Sequence, residues 1–298
     1  MNILVTGSHG QLGQEMQRAA AELGADSGLR FTFADSRDLD ITRREDVLNC
    51  VGELHLDTIV NCAAYTQVDR AEDDVEAAHA VNALGVGNLA EAARANKALL
   101  IHVSTDYVFG GCGNTPRSED DATHPLGVYG RTKLEGEQLI QRSGCRHLII
   151  RTAWLYSRHG SNFVKTMCRL LREKEAIKVV FDQVGTPTYA GDLADAIMSI
   201  IRRAPRADQE GIYHYSNEGV CSWYDFAVAI ADAIGSNCSI TPCRSSEFPS
   251  KVTRPAYSVL DKSKIRRTFG LDIPHWQQSL RRLLSTLPEA SNPSDPRP

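Results

Sequence analysis

The chain opens Met1-Asn2-Ile3-Leu4-Val5-Thr6-Gly7-Ser8-His9-Gly10-Gln11-Leu12-Gly13, and the reading of this stretch decides the fold. Asn2 to Thr6 is a short apolar run of strand length, after which Leu12, Met16, Ala19 and Leu23 recur at helical spacing. Three glycines lie between. Gly7 permits a tight turn, Gly10 the close approach of a pyrophosphate, and Gly13 close packing of helix on strand. The phosphates of a dinucleotide would rest on free N–H groups at the positive end of the helix, beside Gln11 and Leu12. Glycine triplets occur in many turns, and it is the strand-turn-helix context that gives this one meaning. His9, inside the turn, reads as a tolerated loop residue.

The same alternation continues outward. Strands are expected at Phe31 to Asp35, Thr58 to Cys62, Leu99 to Ser104 and His147 to Thr152. Helical patterns separate them: Val47, Val51 and Leu54; then Ala77, Val81, Leu84 and Ala92; then Tyr129 to Ile140. Regular alternation argues for an α/β fold, a Rossmann-type doubly wound parallel sheet whose crossovers are right-handed. Past Thr152 the spacing loosens, with apolar helices near Phe163 to Leu171, Leu193 to Ile201 and Tyr224 to Ile234. We expect residues 1–155 to form a dinucleotide-binding domain. Residues 156–287 are expected to form mainly a smaller α/β substrate-binding lobe, with some elements returning to the first sheet. Residues 288–298, rich in Pro, Ser, Asn and Asp, read as a flexible tail.

Composition narrows the function classes. The 298 residues are 42% hydrophobic and 23% charged, ordinary for a globular protein, and the net charge of −4 gives no attraction to nucleic acid or to an anionic membrane. No apolar run approaches the roughly 18 residues needed to cross a bilayer. The first residues lack the basic and apolar segments of a signal peptide, so a cytoplasmic location is expected. Eight cysteines sit singly without a Cys-x-x-Cys pair, and nine histidines form no His-Glu-x-x-His pattern. Free thiols and no metal are expected.

Further candidate residues follow the strands. Asp35, at the end of the second, can accept hydrogen bonds from both adenosine ribose hydroxyls, which favours NADH. Arg37, two residues on, can pair with the 2′-phosphate of NADPH. The two signals conflict, and use of either cofactor is the expectation. Asp40 and Ile41 would flank the adenine, Ala63, Ala64 and Tyr65 would lie under the ribose and nicotinamide, and Val103 would border the same cofactor. In Tyr129-Gly130-Arg131-Thr132-Lys133 a spacing of four places Tyr129 and Lys133 on one helix face. A tyrosine of ordinary pKa near 10 is a poor acid at neutral pH, and a neighbouring ammonium would lower it. Thr105, at the end of the fourth strand, would hydrogen-bond a substrate carbonyl. The Gly-rich turn, the strand-end Thr and Tyr-x-x-x-Lys fall in order on one α/β frame.

These residues resemble the extended short-chain dehydrogenase/reductases, and within them the dTDP-4-dehydrorhamnose reductase family. The likeness runs from Met1 to Leu287. It is carried by Asn61-Cys62-Ala63-Ala64-Tyr65-Thr66, Val68-Asp69-Arg70-Ala71-Glu72, Ser104-Thr105-Asp106-Tyr107-Val108-Phe109, Arg151-Thr152-Ala153-Trp154-Leu155-Tyr156 and Asp182-Gln183-Val184-Gly185-Thr186-Pro187-Thr188, with Arg254-Pro255 leading to Ser258-Val259-Leu260-Asp261. The resemblance implies an NADPH- or NADH-dependent oxidoreductase that completes a nucleotide-sugar pathway for cell-surface polysaccharide. In it Tyr129 donates the proton, assisted by Thr105, while Thr105, Asp106 and Trp154 contact the sugar nucleotide. Arg254 is our candidate for a pyrophosphate contact. Some members dimerise around a magnesium ion; Glu15 matches one such ligand, the others find no counterpart, and a homodimer stays open. Related 4,6-dehydratases use Asp then Glu after the Thr, whereas this chain has Asp106-Tyr107. The alternatives are an epimerase, another sugar-nucleotide reductase, or a non-catalytic NADP-binding subunit like that of methionine adenosyltransferase. Trp223 and Tyr224 read as helix-capping or packing residues.

Overall fold

The computed structural model describes residues 1–24, 27–248 and 250–287. In chain order its elements are β1 (Asn2–Thr6), α1 (Gln11–Ala21), β2 (Arg30–Ala34), α2 (Arg44–Glu53), β3 (Thr58–Asn61), α3 (Val68–Ala71), α4 (Val75–His79), α5 (Gly85–Asn96), β4 (Leu99–Thr105), α6 (Val128–Ser143) and β5 (Arg146–Thr152). Then follow β6 (Leu155–Tyr156), α7 (Phe163–Glu173), β7 (Ala176–Val180), β8 (Val184–Gly185), β9 (Thr188–Tyr189), α8 (Ala190–Arg202), β10 (Gly211–His214), β11 (Cys221–Ser222), α9 (Trp223–Ile234), β12 (Ser239–Cys243), α10 (Ser263–Phe269) and α11 (Trp276–Leu284).

Six strands form one parallel sheet in the order β2-β1-β3-β4-β5-β10. The chain leaves β1 toward β2 on one side and returns to β3 on the other. The order thus reverses at β1, and the crevice at the carboxyl ends of β1 and β3 is where open sheets of this kind take ligands. Strand alternation sorts the core. Ile3, Val5, Ile101 and Ile150 pack under α1 and α8, whereas Leu4, Ile59, Leu100 and Ile149 pack under α2, α5 and α6. Parallel strands buried on both faces read as continuous apolar runs, which is why the sequence displays them so plainly. The five expected strands of the first half each lie within one residue of the observed ends.

After Thr152 the chain divides its elements between two places. Ile197 and Ile201 of α8, Tyr213 of β10, and Ile265 and Phe269 of α10 join the core of the first sheet. A second core gathers Tyr156, Val164, Met167, Leu171, Phe226, Ile230, Trp276 and Leu280, from α7, α9 and α11 among others. The expected tail, 288–298, lies outside the described residues. Among the described residues no helix is long and apolar enough to cross a membrane. All eight cysteines are free thiols.

Two helical readings need correction. Leu54, expected at helical spacing with Val47 and Val51, lies past the end of α2 and is 37% exposed. Leu84, expected on the buried face, is 51% exposed. Between α4 and α5 the chain makes a π-helical turn, Ala80–Leu84, whose wider winding inserts an extra residue and rotates everything after it. The buried stripe therefore runs through Ala78, Asn82, Ala83, Val86, Leu89 and Ala93. Leu84→Gln should change stability by less than about 0.5 kcal/mol. Leu89→Ala, at a fully buried site, should remove about 2–5 kcal/mol. Chemical denaturation of both variants checks this, and a large loss for Leu84→Gln would contradict the shifted phase.

Candidate active site

The glycine-rich turn is forced by contact. Gly7 has φ +66°, and a Cβ on it would stand 2.6 Å from the Ala63 amide nitrogen, so the turn after β1 presses on the one after β3. A Cβ on Gly13 would meet the Gly7 carbonyl at 2.3 Å, so α1 starts hard against its own turn. No side chain caps α1. The amides of Gln11, Leu12 and Gly13 thus remain as donors at the positive helix end, a cradle that fits a dinucleotide pyrophosphate. The Gln11 carboxamide oxygen accepts a hydrogen bond from Asn162 Nδ2 at 2.9 Å, tying the turn to the second lobe.

At the end of β2 the two conflicting signals lie in contact. Arg37 donates to Asp35 through Nε at 3.1 Å and Nη2 at 2.7 Å, and these hydrogen bonds hold the Asp35 carboxyl far below the ordinary range. His9 Nδ1 stands 2.6 Å from the same carboxylate, so His9 is part of this cluster, correcting its reading as a tolerated loop residue. Asp40 accepts hydrogen bonds from the amide and hydroxyl of Thr42. Ile41 is buried in the core under α2 and α5, and its carbonyl accepts from Asn88 Nδ2. Ala63 and Ala64 continue the turn against Gly7. Tyr65 is held by its main chain, its N–H donating to Asn82 Oδ1 and its carbonyl accepting from Asn82 Nδ2. Asn82 sits in the π-helical turn, and nothing in the sequence marked it.

Helix α6 carries Tyr129 and Lys133. It has no local cap; the Val128 amide donates to Glu72 at 2.6 Å, which explains the Val68-Asp69-Arg70-Ala71-Glu72 motif as a remote acceptor at the positive helix end. A Cβ on Gly130 would meet the Tyr107 carbonyl at 2.3 Å, so α6 begins directly on the 3₁₀ turn Asp106–Val108 that follows Thr105. The Thr105 hydroxyl lies near enough to Tyr129 to favour its ionised form, and the Tyr129 ring meets that of Tyr107 edge to face at 5.6 Å. Burial pushes the Tyr129 phenol up to about 12. The expected lowering by Lys133 is not seen, because that amine points elsewhere. Lys133 is fully buried and donates to the Val103 carbonyl at 2.7 Å, with His102 Nε2 at 3.2 Å. Burial pushes it down to about 8. Val103 thus contributes a carbonyl already engaged by Lys133.

Asp106 is buried and accepts from Thr105 at 3.1 Å, while its Oδ2 has no partner. Burial raises its pKa to about 6 against the lowering effect of the nearby Ser258 and Thr105 hydroxyls. Beyond Tyr107, the next residue, opens a cleft of about 1230 Å³, lined by Thr66, Asp69, Tyr107, Trp154, Trp223 and Arg254 among others. Trp154 has φ +46°, a strained conformation for so large a residue, and stacks on Trp223 at 3.6 Å. Trp223 therefore opens α9 and also lines the cleft, beyond the packing role expected of it. Tyr224 packs against the second-lobe core. Arg254 donates to Asp69 at 2.8 Å on the cleft wall. Glu15, fully buried, accepts from Arg18 at 3.0 Å. Among the described residues no three carboxylate, imidazole or thiol groups converge as metal ligands.

A doubly wound sheet with a dinucleotide cradle at its switch point, and a Thr–Tyr–Lys set beside it, defines the short-chain dehydrogenase/reductase class. The chain belongs to the RmlD substrate binding domain family, whose profile it matches over residues 1–288. It is 40% identical to a dTDP-4-dehydrorhamnose reductase of Aggregatibacter actinomycetemcomitans, covering 94% of this chain and 97% of that protein. The crystal structure of a dTDP-4-dehydrorhamnose reductase from Clostridium acetobutylicum superposes with a TM-score of 0.90 at 40% identity, covering 96% and 99%. That of the Bacillus anthracis reductase, in complex with NADP, superposes with a TM-score of 0.90 at 36% identity, again covering 96% and 99%.

The raised pKa of Asp106 has a consequence for stability. The folded protein keeps this proton up to about pH 6, whereas the unfolded chain releases it near 3.8. Between those values the folded state binds more protons, so this group's contribution falls as pH rises, by roughly 3 kcal/mol in all. Asp106→Asn should therefore gain stability relative to the parent, little near pH 4 and most above pH 6, by denaturant midpoints across that range. A gain independent of pH would refute the assignment.

Proposed function

We propose that the chain reduces the C4 keto group of dTDP-4-dehydro-β-L-rhamnose to give dTDP-L-rhamnose, using NADPH or NADH, as the last step of dTDP-rhamnose synthesis. The observation that carries this reading is that α6, which bears Tyr129 and Lys133, begins on the 3₁₀ turn after Thr105, whose Tyr107 lines the cleft. Its support is the reductase name of relatives near 40% identity and the NADP bound by the Bacillus anthracis protein. The bound nicotinamide supplies the hydride. Tyr129, whose burial keeps the phenol protonated at neutral pH, gives its proton to the C4 oxygen as negative charge grows there. Thr105 orients that carbonyl, and Lys133 holds the nicotinamide ribose. Asp106 and Trp154 position the sugar, and Arg254 the pyrophosphate. The second lobe excludes water from the reacting atoms. In this reading the enzyme is cytoplasmic and homodimeric, the latter checked by sedimentation.

The test is the loss of reduced-nicotinamide absorbance with substrate generated in situ by the preceding pathway enzymes, against a control lacking this protein. Tyr129→Phe should lower turnover by about 100-fold or more while cofactor affinity stays within about threefold. Cofactor binding by the parent without turnover would instead indicate another sugar nucleotide or a regulatory subunit. Asp35→Ala should weaken NADH more than NADPH in a binding titration, since it removes the ribose acceptor and frees Arg37 for the 2′-phosphate. The opposite order would remove Arg37 as phosphate partner.

A further inference from the structure

The polar groups behind Lys133 admit one placement of hydrogens. The Ala63 amide, at 3.1 Å, and the Thr6 hydroxyl, at 2.7 Å, both donate to Asn61 Oδ1. The Asn61 nitrogen therefore faces the other way and donates to His102 Nδ1 at 2.9 Å. A ring nitrogen that accepts carries no hydrogen, so a neutral imidazole must carry it on Nε2. His102 is fully buried, and burial, reinforced by Lys133, keeps it neutral far below the ordinary range. Its Nε2–H faces Lys133 Nζ at 3.2 Å. An ammonium has three donors and no acceptor and cannot receive that hydrogen; a free amine can.

We propose that His102 is a positioning residue for Lys133: Asn61 fixes the imidazole as its Nε2–H tautomer, and the lysine, once it has given up its proton, receives that hydrogen while giving one to the Val103 carbonyl. The importance of Lys133 rests on the reductase reading above; the tautomer itself does not. Of the other groups facing the amine, only the Glu137 carboxylate favours its charged form, and burial outweighs it. The Cys62 thiol, at the end of β3, is pushed up to about 12 by burial and stays neutral. Glu137, one turn further along α6, is engaged by Arg151 from β5 and by the Ser104 hydroxyl. Tyr129, one turn back, holds its proton. A hydrogen bond to the uncharged form favours that form, so the imidazole and burial act in the same direction on Lys133.

The molecule contains its own control. The other deeply buried histidine, His214, places Nδ1 3.0 Å from the Arg117 carbonyl and must donate there, so its hydrogen is on Nδ1. Burial lowers its pKa to about 3. The test is a long-range proton–nitrogen correlation spectrum of the wild-type protein labelled with nitrogen-15 histidine, without nucleotide, recorded from about pH 5.5 to about pH 8, where ordinary imidazoles titrate. Two rings should stay neutral throughout, one carrying its hydrogen on Nδ1 and one on Nε2. Two such rings both protonated on Nδ1 would overturn the proposal. No turnover enters this result, so failure of the reductase reading leaves it intact. The link to Lys133 is read from the pH profile of kcat. His102→Leu should move the alkaline limb, set by loss of the Lys133 proton, up by about one pH unit, and His102→Gln, which restores a donor and an acceptor, by less. A uniformly lower kcat with an unmoved limb would reduce His102 to packing and overturn the link.

Discussion

An amine buried to its last atom is the constraint on which the site depends. Isolated in an apolar interior, a charged or unpartnered Lys133 would cost several kcal/mol. Its partners are reached by a row of polar side chains, Thr6 to Asn61 to His102, that crosses the sheet from β1 through β3 to β4. The row exists because of register: Thr6 lies opposite Asn61, and Asn61 opposite His102. A slip of one residue in either pairing would turn these groups to the opposite face and leave the lysine alone. The alignment of three strands and the arrangement of the reacting helix are therefore a single requirement, met or lost together.

Much of this was legible in the chain because it is written locally. Apolar runs, helical spacing and the glycine turn each occupy a few consecutive residues, and the first-half strands fall within one residue of their expected ends. The site's nearest-neighbour logic was legible too, since Tyr129 and Lys133 share a helix face by spacing alone. What the sequence did not display are contacts made across long separations. Glu72 capping α6, Asn82 holding Tyr65 and His102 facing Lys133 each join residues that no local pattern connects. Leu84 misled for a different reason. Helical spacing assumes a constant winding, and a π-helical turn breaks that assumption without any residue type announcing it.

The two lobes are bound to each other by more than the chain that links them. Gln11 meets Asn162 at the mouth of the phosphate cradle, and Tyr189 of the second core donates to Glu15 of α1 at 3.4 Å. Helix α8 packs on the first sheet although it follows the second lobe's opening strands in sequence. The cleft thus has one wall built on the sheet and another on elements whose neighbours return to that sheet.

The stacked indoles in the cleft wall have an optical consequence. Of three tryptophans in the chain, Trp154 and Trp223 stand face to face in the cleft wall, and Trp276 is buried in the second core. Two of the three indole emitters therefore line the cleft, one of them on a strained backbone. The emission spectrum of the protein, with no label attached, is a direct gauge of what occupies the cleft.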